Sequence, residues 1–322
     1  MTYKFNNVYI NEKYTLLASK LYNPIIKNNV DKFIDDYYFG KKTIEEAESK
    51  YQETTINGLM RKSTLVDSDI NILINSDLQN QNLCSSICNS KFNISSLNIY
   101  SACASFIEGL IIASKFVENI DSKVIVTTSS HNLVSEKQFR FPVEYGAVRK
   151  RVNGCTATGS VSALVSSTPS NIRIESGTIG KVISTGHKDA NDMGSAMAPS
   201  CAKAIYEHLK ETKRTPKYYD LILTGDLGEY GLEVMKTYFK KVYKFELNNV
   251  IDSATIFYKD NEIYAGASGP ICIGLILFDH ILKNEKYKRI LVVGTGSLHS
   301  VISSNLKLPM PGVSHAISLE VL

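Results

Sequence analysis

The chain has 322 residues, of which 43% are hydrophobic and 21% are charged, and its formal net charge is +4. This composition is typical of a folded protein with two domains or one large fused one, and it excludes extended disorder. The sequence has no apolar run near the roughly 20 residues needed to span a bilayer and no secretory signal pattern at its start. We therefore expect a soluble chain in a reducing compartment.

Short apolar segments alternate along the chain with segments of helical period, which predicts an α/β fold with largely buried strands. The first predicted helix covers 43–60, where Thr43 is followed by Glu45 and Glu46, acidic residues that favour a helix N-terminus. Further helices are predicted over 104–117, 198–209, 232–239 and 271–282. Strands are predicted over 72–74, 124–127, 163–166, 172–175, 221–223, 263–265, 290–293 and 316–321.

Basic residues are scattered along the chain, apart from Lys240, Lys241 and Lys244 near the end of one predicted helix. We interpret this cluster as a solvated helix face, with weak attraction to an anionic surface as the alternative. We expect no nucleic-acid partner.

Two parts of the sequence repeat each other in order and type. Residues 69–78 (DINILINSDL) match 218–227 (YYDLILTGDL), each an apolar strand that ends in Asp-Leu. The helical run 102–117 matches 267–282, and in both copies a further apolar strand follows. Gene duplication explains this order, with chance similarity of short apolar runs as the alternative.

The predicted halves are 1–169 and 170–322, and the first carries the cysteine that stands out by position. The six cysteines have no zinc-binding spacing, so we expect free, mostly buried thiols and no metal. Cys103 lies between an apolar strand and the helix predicted from Ala104, where backbone N–H groups favour a thiolate. It is either a nucleophile or, as is more common at such junctions, a small buried hydrophobe.

A duplicated α/β half with a cysteine at the start of its central helix resembles the thiolase superfamily. The resemblance implies layers in the order α-β-α-β-α and, by analogy of fold, a homodimer. Enzymes of this superfamily use a His, and a second His or an Asn, from the second half to activate the thiol and bind an oxyanion. Here Asp226 occupies the position expected for the His, and Ala267 or Ser268 that expected for the Asn. Because a carboxylate raises the pKa of a neighbouring thiol, we expect a pseudo-enzyme with no cofactor.

Three stretches resemble a narrower family, stage V sporulation protein AD. They are 128–146, which contains TSSHN and EKQFRFPVEYG, then 192–199 (DMGSAMAP) and 219–227 (YDLILTGDL). The resemblance extends over nearly the whole chain. It implies a spore protein that binds dipicolinate, alone or with calcium, and helps to load it into the forespore. It also implies a peripheral location at the forespore or spore inner membrane, with other proteins of the SpoVA complex as partners.

A planar dianion requires paired hydrogen-bond donors, and the first of these stretches contains two candidates. Arg140 offers a bidentate guanidinium, and His131, which follows a predicted strand, offers ring donors. The alternative for Arg140 is an ion pair with Glu136 or Glu144 that fastens its own loop. The full predicted ligand-binding set is Cys103, His131, Arg140, Tyr145, Asp192, Ser195, Asp226 and Ser268.

Several members of this set have an equally simple structural interpretation. Tyr145 offers a ring that stacks on pyridine, but the chain has 18 tyrosines. Asp192 and Ser195 precede a predicted helix and are suited to capping it. Asp226 is a calcium ligand by residue type, without the spacing of an EF-hand.

Two other functions stay open at this point. In one, the chain is an acyltransferase or condensing enzyme in which Cys103 is acylated and His131 is the base. His299 follows a different strand and has no obvious path to the thiol. In the other, the fold only scaffolds membrane partners.

Overall fold

The computed structural model describes residues 1–19, 22–120, 122–138, 154–258 and 266–322. Within these ranges the strands are β1 (Thr2–Lys4), β2 (Tyr9–Leu17), β3 (Lys32–Phe33), β4 (Ile72–Ser76), β5 (Ser96–Asn98), β6 (Val124–Ser130), β7 (Gly159–Ser166), β8 (Ile172–Thr178), β9 (Leu221–Thr224), β10 (Val250–Asp252), β11 (Arg289–Ser297) and β12 (Gly312–Val321). The α-helices of the same ranges are α1 (Pro24–Lys27), α2 (Ile44–Lys62), α3 (Leu83–Asn89), α4 (Ser105–Ile120), α5 (Asn132–Glu136), α6 (Met193–Thr212), α7 (Gly228–Tyr243), α8 (Ser253–Phe257), α9 (Pro270–Ile276) and α10 (Val301–Asn305).

These strands form one mixed sheet in which the same arrangement occurs twice. Its main path is β10-β9-β11-β12-β8-β2-β7-β6-β4-β5. From the centre outwards, β2, β7, β6, β4 and β5 correspond to β8, β12, β11, β9 and β10, with the same parallel or antiparallel pairing at each step. The two half-sheets meet in the antiparallel pairs Tyr9–Arg173 and Ile10–Ile172. The predicted duplication is therefore confirmed in the topology.

The helices divide the molecule into layers. α2 covers the first half-sheet through contacts with β2, β6 and β7, whereas α6 covers the second through β11 and β12, with α7 packed against α6. α4 contacts strands of both half-sheets, and α9 packs beside it. Apolar side chains of this middle layer, such as Phe106, Leu110 and Ile273, are buried in a core that both half-sheets share. The predicted α-β-α-β-α architecture is confirmed.

Local sequence signals explain where several helices begin. Thr43 Oγ1 accepts a hydrogen bond from Glu46 N, and Glu46 Oε2 accepts one from Thr43 N, both at 3.2 Å, so a capping box begins α2. α6 begins at Met193, earlier than predicted, although Pro199 lies inside it. The last predicted helix is continuous only to Ile276 and then becomes a π-helical segment, Leu277–Ile281.

Most of the predicted strands are present in the described part of the chain. Seven predicted strands lie within β4, β6, β7, β8, β9, β11 and β12, and the eighth, 263–265, lies outside the described residues. The six cysteines are buried and form no disulfide with one another, as expected. No helix in the described part of the chain has both the length and the apolar character to cross a bilayer. The boundary at 169 and 170 falls between β7 and β8 and stays a prediction.

Candidate functional site

Cys103 lies in a tight turn, Ala102–Ala104, that leads into α4 in the middle layer. Ala102 has φ +50°, a left-handed conformation that alanine seldom adopts, and backbone strain of this kind is common at functional sites. β11 passes close behind the turn, and a Cβ atom on Gly296 would collide with the carbonyl oxygen of Ser101. Because Gly296 has no side chain, β11 can lie close to the turn that contains the Cys103 thiol.

The second half contributes an equivalent turn, which brings two predicted site residues together. Ala267 has φ +68°, and the residue after it, Ser268, occupies the repeat position of Cys103. The backbone N–H and the hydroxyl of Ser268 both donate to Asp226 Oδ1. The other oxygen, Oδ2, is buried without a hydrogen-bond partner of ordinary geometry in the described residues. Asp226 itself has φ +118° and is fully buried.

The Asp226 carboxyl group is the charged neighbour of the Cys103 thiol. Burial and this carboxyl group raise the pKa of Cys103 well above its usual range, and the backbone N–H of Gly269 opposes the rise only weakly. Burial raises the pKa of Asp226 to about 7, against the hydrogen bonds that it accepts. At neutral pH the thiol is therefore protonated. Asp226 therefore lies beside both Ser268 and Cys103, and the role of these three residues in ligand binding stays a prediction.

A small cavity adjoins Cys103, and a larger pocket shares two of its lining residues. The inner cavity has a volume of about 20 Å³, enough for one water molecule, and Gln138, Met193 and Ala267 contribute to its lining. The outer pocket has a volume of about 400 Å³, within the usual range for small-ligand sites. Tyr100 and His299 line both, so they separate the outer pocket from the thiol.

His299 is a cavity residue that the sequence did not connect with Cys103, although both residues line the inner cavity. It follows β11, and its Nδ1 atom lies 3.1 Å from the carbonyl oxygen of Ser297. Burial lowers the pKa of His299, so the ring is neutral at pH 7. The repeat contained the signal that was missed, because the end of β11 in the second half corresponds to the end of β6, which His131 follows, in the first.

His131 lies in an aromatic cluster. Its ring stacks on Tyr51 with the planes 6° apart and meets Tyr37 edge to face, and its Nε2 atom lies 3.3 Å from the carbonyl oxygen of Tyr37. Burial lowers the pKa of His131 to about 4. Neither the inner cavity nor the outer pocket has His131 in its lining. A role in ligand binding stays a prediction for this residue, which is neutral at physiological pH.

The other predicted residues lie at the start of α6 or outside the described residues. Asp192 is the N-cap of α6, where its Oδ1 atom accepts a hydrogen bond from Ser195 N at 3.1 Å. This pair performs the capping role that the sequence offered as the simpler interpretation, although the next residue, Met193, reaches the inner cavity. Arg140 and Tyr145 lie outside the described residues.

Potential metal ligands do not cluster in the part of the chain that the structure describes. No group of three or more His, Cys, Asp or Glu side chains there is suited to holding an ion. Asp77, the repeat counterpart of Asp226, accepts hydrogen bonds from the backbone N–H and hydroxyl of Ser85, at 2.8 and 2.7 Å. Its observed contacts are those of a structural strand-end carboxylate.

Known proteins resemble this chain at two levels. In fold, it is similar to 3-oxoacyl-[acyl-carrier-protein] synthase III from Aquifex aeolicus, with a TM-score of 0.58 and 15% identity over 97% of this chain and 99% of that one. It is also similar to Xanthomonas campestris OleA with bound cerulenin, with a TM-score of 0.62 and 15% identity over 99% and 100% of the two chains. These likenesses confirm the thiolase-like fold.

Sequence similarity is closer and extends over almost the whole chain. Stage V sporulation protein AD of Bacillus subtilis is 34% identical over 318 residues, which are 97% of this chain and 94% of that protein. The family model for stage V sporulation protein AD matches residues 1–320. The chain therefore belongs to the stage V sporulation protein AD family.

Proposed function

We propose that the chain is a non-catalytic dipicolinate-binding protein of the machinery that loads this compound into the forespore. The ligand is dipicolinate, alone or with calcium. We further propose that the chain works as a homodimer, peripherally at the forespore or spore inner membrane, with other proteins of the SpoVA complex as partners. The family membership supports the sporulation role, and the residues around Cys103 support a binding function.

The observation that carries the non-catalytic assignment is the Asp226 carboxyl group beside Cys103. Acyl transfer requires a thiolate at the moment of attack and donors for the oxyanion that follows. Here burial and Asp226 raise the pKa of the thiol, and the donor observed near it is the backbone N–H of Gly269. A pocket that no longer supports acylation can keep its volume and its polar rim for another small ligand.

The outer pocket is the part of the site with room for a ligand of the size of dipicolinate. Asn80 and Gln81 contribute to its lining, and side-chain amides of these residue types can donate hydrogen bonds to carboxylates. Gln81 has φ +56° and Asn82 has φ +51°, so two consecutive residues of the pocket wall have strained backbones. Gln138 lines the inner cavity and precedes the segment that contains Arg140. We propose Arg140 as the cationic anchor of the ligand.

Calorimetric titration with dipicolinate, with and without calcium, tests this proposal. We expect saturable binding that Arg140→Ala abolishes, because that change removes the bidentate donor. Arg173→Ala is the matched control, since Arg173 pairs with Glu320 at 3.4 Å on β8 and β12. An Arg140→Ala protein that binds as tightly as the wild type would remove Arg140 from the site. A wild-type protein that binds neither form of the ligand would contradict the proposed function.

One observation favours a second candidate, an acyltransferase that uses Cys103. His299 lines the same cavity as the thiol, so an imidazole is within the site although it is not in the position of the usual histidine. Incubation with acyl-CoA followed by intact-mass measurement separates the two functions. An acyl adduct that Cys103→Ala eliminates, in a protein that does not bind dipicolinate, would establish transfer chemistry. An unchanged mass together with dipicolinate binding supports the first proposal.

A further inference from the structure

The C-terminal ends of α6 and α7 form a second surface of functional interest. α6 and α7 are parallel: a Cβ atom on Gly194 would lie 3.0 Å from the Cα of Gly231 near their N-termini, and Tyr206 stacks on Tyr243 at 4.0 Å near their C-termini. Met193, at the start of α6, lines the inner cavity. The 20 residues of α6 span about 30 Å. Because α7 runs parallel to α6, the C-termini of both helices lie about that far from the end of α6 that lines the inner cavity.

This end of the second half is basic. Five lysines at or just beyond the ends of α6 and α7 are exposed and make no ion pair within the described residues. They are Lys210, Lys213, Lys217, Lys241 and Lys244. Acidic groups nearby are already engaged: Glu246 pairs with Lys240 at 2.7 Å, and Glu175 pairs with Arg214 at 3.0 Å.

Exposed apolar side chains lie among these lysines. Phe245 is 53% exposed and Val242 is 48% exposed. Phe245 lines a depression of about 220 Å³ together with Leu209, Lys210 and Phe239. We call the five lysines together with Val242 and Phe245 the basic end surface.

Helix electrostatics explain only part of this arrangement. Lysines near a helix C-terminus stabilise the helix dipole, which accounts for Lys210 and Lys241 in the last turns and for Lys213 and Lys244 at the caps. The dipole does not require Lys217, which lies beyond α6, and it does not require two apolar side chains to face solvent. Cations that surround outward-facing apolar side chains are typical of proteins that bind at a lipid surface.

We propose that the basic end surface docks the protein directly onto an anionic lipid bilayer, with Phe245 and Val242 inserted among the headgroups. The opposite sign of charge on the two surfaces supplies the attraction, and the exposed area of Phe245 and Val242 supplies the apolar contact with the headgroup region. Docking in this orientation directs the Cys103 pocket away from the bilayer. The inference does not depend on the identity of the ligand in that pocket.

Flotation of the purified chain with vesicles tests the proposal. We expect binding to vesicles of equal parts phosphatidylglycerol and phosphatidylcholine at low salt, little binding to pure phosphatidylcholine, and release at 0.5 M NaCl. Each lysine near an anionic surface changes partitioning about fivefold. The double variant Lys241→Glu with Lys244→Glu should therefore weaken vesicle binding by about 25-fold or more. Phe245→Ser should weaken binding in a manner that salt does not reproduce.

The matched control is Lys41→Glu with Lys42→Glu, which makes the same change in net charge at an exposed position of the first half. Circular dichroism melts establish that every variant is folded. An equal loss of binding in the control pair would show a net-charge effect and overturn the proposal, as would equal binding to neutral vesicles. Binding of immobilised poly-glutamate without vesicle binding would assign the surface to an acidic protein partner and also overturn it.

Discussion

Cys103 begins a buried helix, and that position alone would stabilise its thiolate through the N–H groups of the first helical turn. Two features of its surroundings act in the opposite direction. Burial disfavours the charged sulfur, and the Asp226 carboxyl group adds repulsion whenever it is ionised. The raised pKa of Cys103 shows that these effects exceed the contribution of the helix. The Cys103 thiol is therefore protonated at neutral pH, and its proposed lack of reactivity rests on this balance.

Asp226→Asn is predicted to make Cys103 more reactive. The amide keeps an oxygen that can accept from Ser268 and removes the negative charge beside the sulfur. We expect alkylation of Cys103 by iodoacetamide at pH 8 to accelerate about tenfold, which corresponds to a fall of about one unit in the thiol pKa. Peptide mass spectrometry gives the rate at Cys103 separately from the other cysteines.

Asp192→Asn provides the matched control for the alkylation rate. The substitution is identical, and Asp192 caps α6 without entering the inner-cavity lining. Equal acceleration in both variants would indicate a general loosening of the structure and would contradict the electrostatic account.

Asp226 is also predicted to make stability depend on pH. Its pKa in the folded state, about 7, is higher than the usual 3.8 of an exposed aspartate. The unfolded chain therefore releases this proton at lower pH than the folded chain, and stability falls as pH rises from about 4 to 7. We expect Asp226→Asn to exceed the wild type by about 2–4 kcal/mol at pH 8 and by little at pH 4. Urea unfolding at the two pH values measures the difference, and a gain of the same size at both would contradict the assignment.

At the scale of single elements, a helix start with a clear local signal is a direct target for substitution. Thr43→Ala removes both the side-chain acceptor for Glu46 N and the reciprocal geometry of the capping box. We expect a loss of about 1 kcal/mol in the free energy of unfolding, measured by urea denaturation. Thr54→Ala, inside α2, is the control: its hydroxyl bonds the Lys50 carbonyl oxygen at 2.7 Å, and alanine favours the helix interior. A Thr43→Ala protein as stable as the control would show that packing alone positions α2.

Elements with strong local signals were predicted from the sequence, and elements set by distant contacts were not. β4, β6 and β11 each begin with or contain an uninterrupted apolar run, at 72–74, 124–126 and 290–293, so their pattern is unambiguous. β2 was missed because Asn11, Glu12 and Lys13 interrupt its apolar pattern. The structure shows why a central strand tolerates Lys13: its Nζ atom pairs with Asp31 at 2.9 Å and Asp279 at 2.6 Å.

The same distinction between local signals and distant contacts applies to the residues of the candidate site. The repeat brought Asp226, Ser268 and Cys103 together because equivalent turns end equivalent strands. The surroundings of His131 depend on Tyr37 and Tyr51, which lie about 80 or more residues earlier and carry no local pattern. The sequence therefore predicted a pocket position for His131 without information on the distant residues that surround it.

At the scale of the whole molecule, the duplicated halves differ at their outer edges. β5 and β10 occupy equivalent edge positions in the sheet, and each is paired on one side only within the described residues. All three residues of β5 are exposed, whereas Val250 and Asp252 of β10 are buried. An exposed and unpaired strand edge is a template for pairing with another chain. This asymmetry points to β5 as the edge through which the proposed homodimer forms.

The proposed dimer predicts the effect of charges at this edge. Leu97 of β5 and Leu83 of α3, which packs beside it, are 42% and 44% exposed. Leu83→Lys with Leu97→Lys should place like charges opposite their symmetry mates and convert the dimer into a monomer. Sedimentation equilibrium should then give the chain mass of 35.8 kDa for the variant and about twice that for the wild type.

Matched changes elsewhere on the surface separate this effect from a general response to added charge. Ile25 on α1 and Ile120 at the end of α4 are exposed apolar residues, so Ile25→Lys with Ile120→Lys makes the same change in charge and apolar area. We expect that control to stay dimeric, because an isologous interface loses affinity only when the shared patch changes. A monomeric wild type, or dissociation of both double variants alike, would remove β5 as the dimer edge. Dissociation of the β5 variant alone would identify the strand through which two duplicated sheets become one.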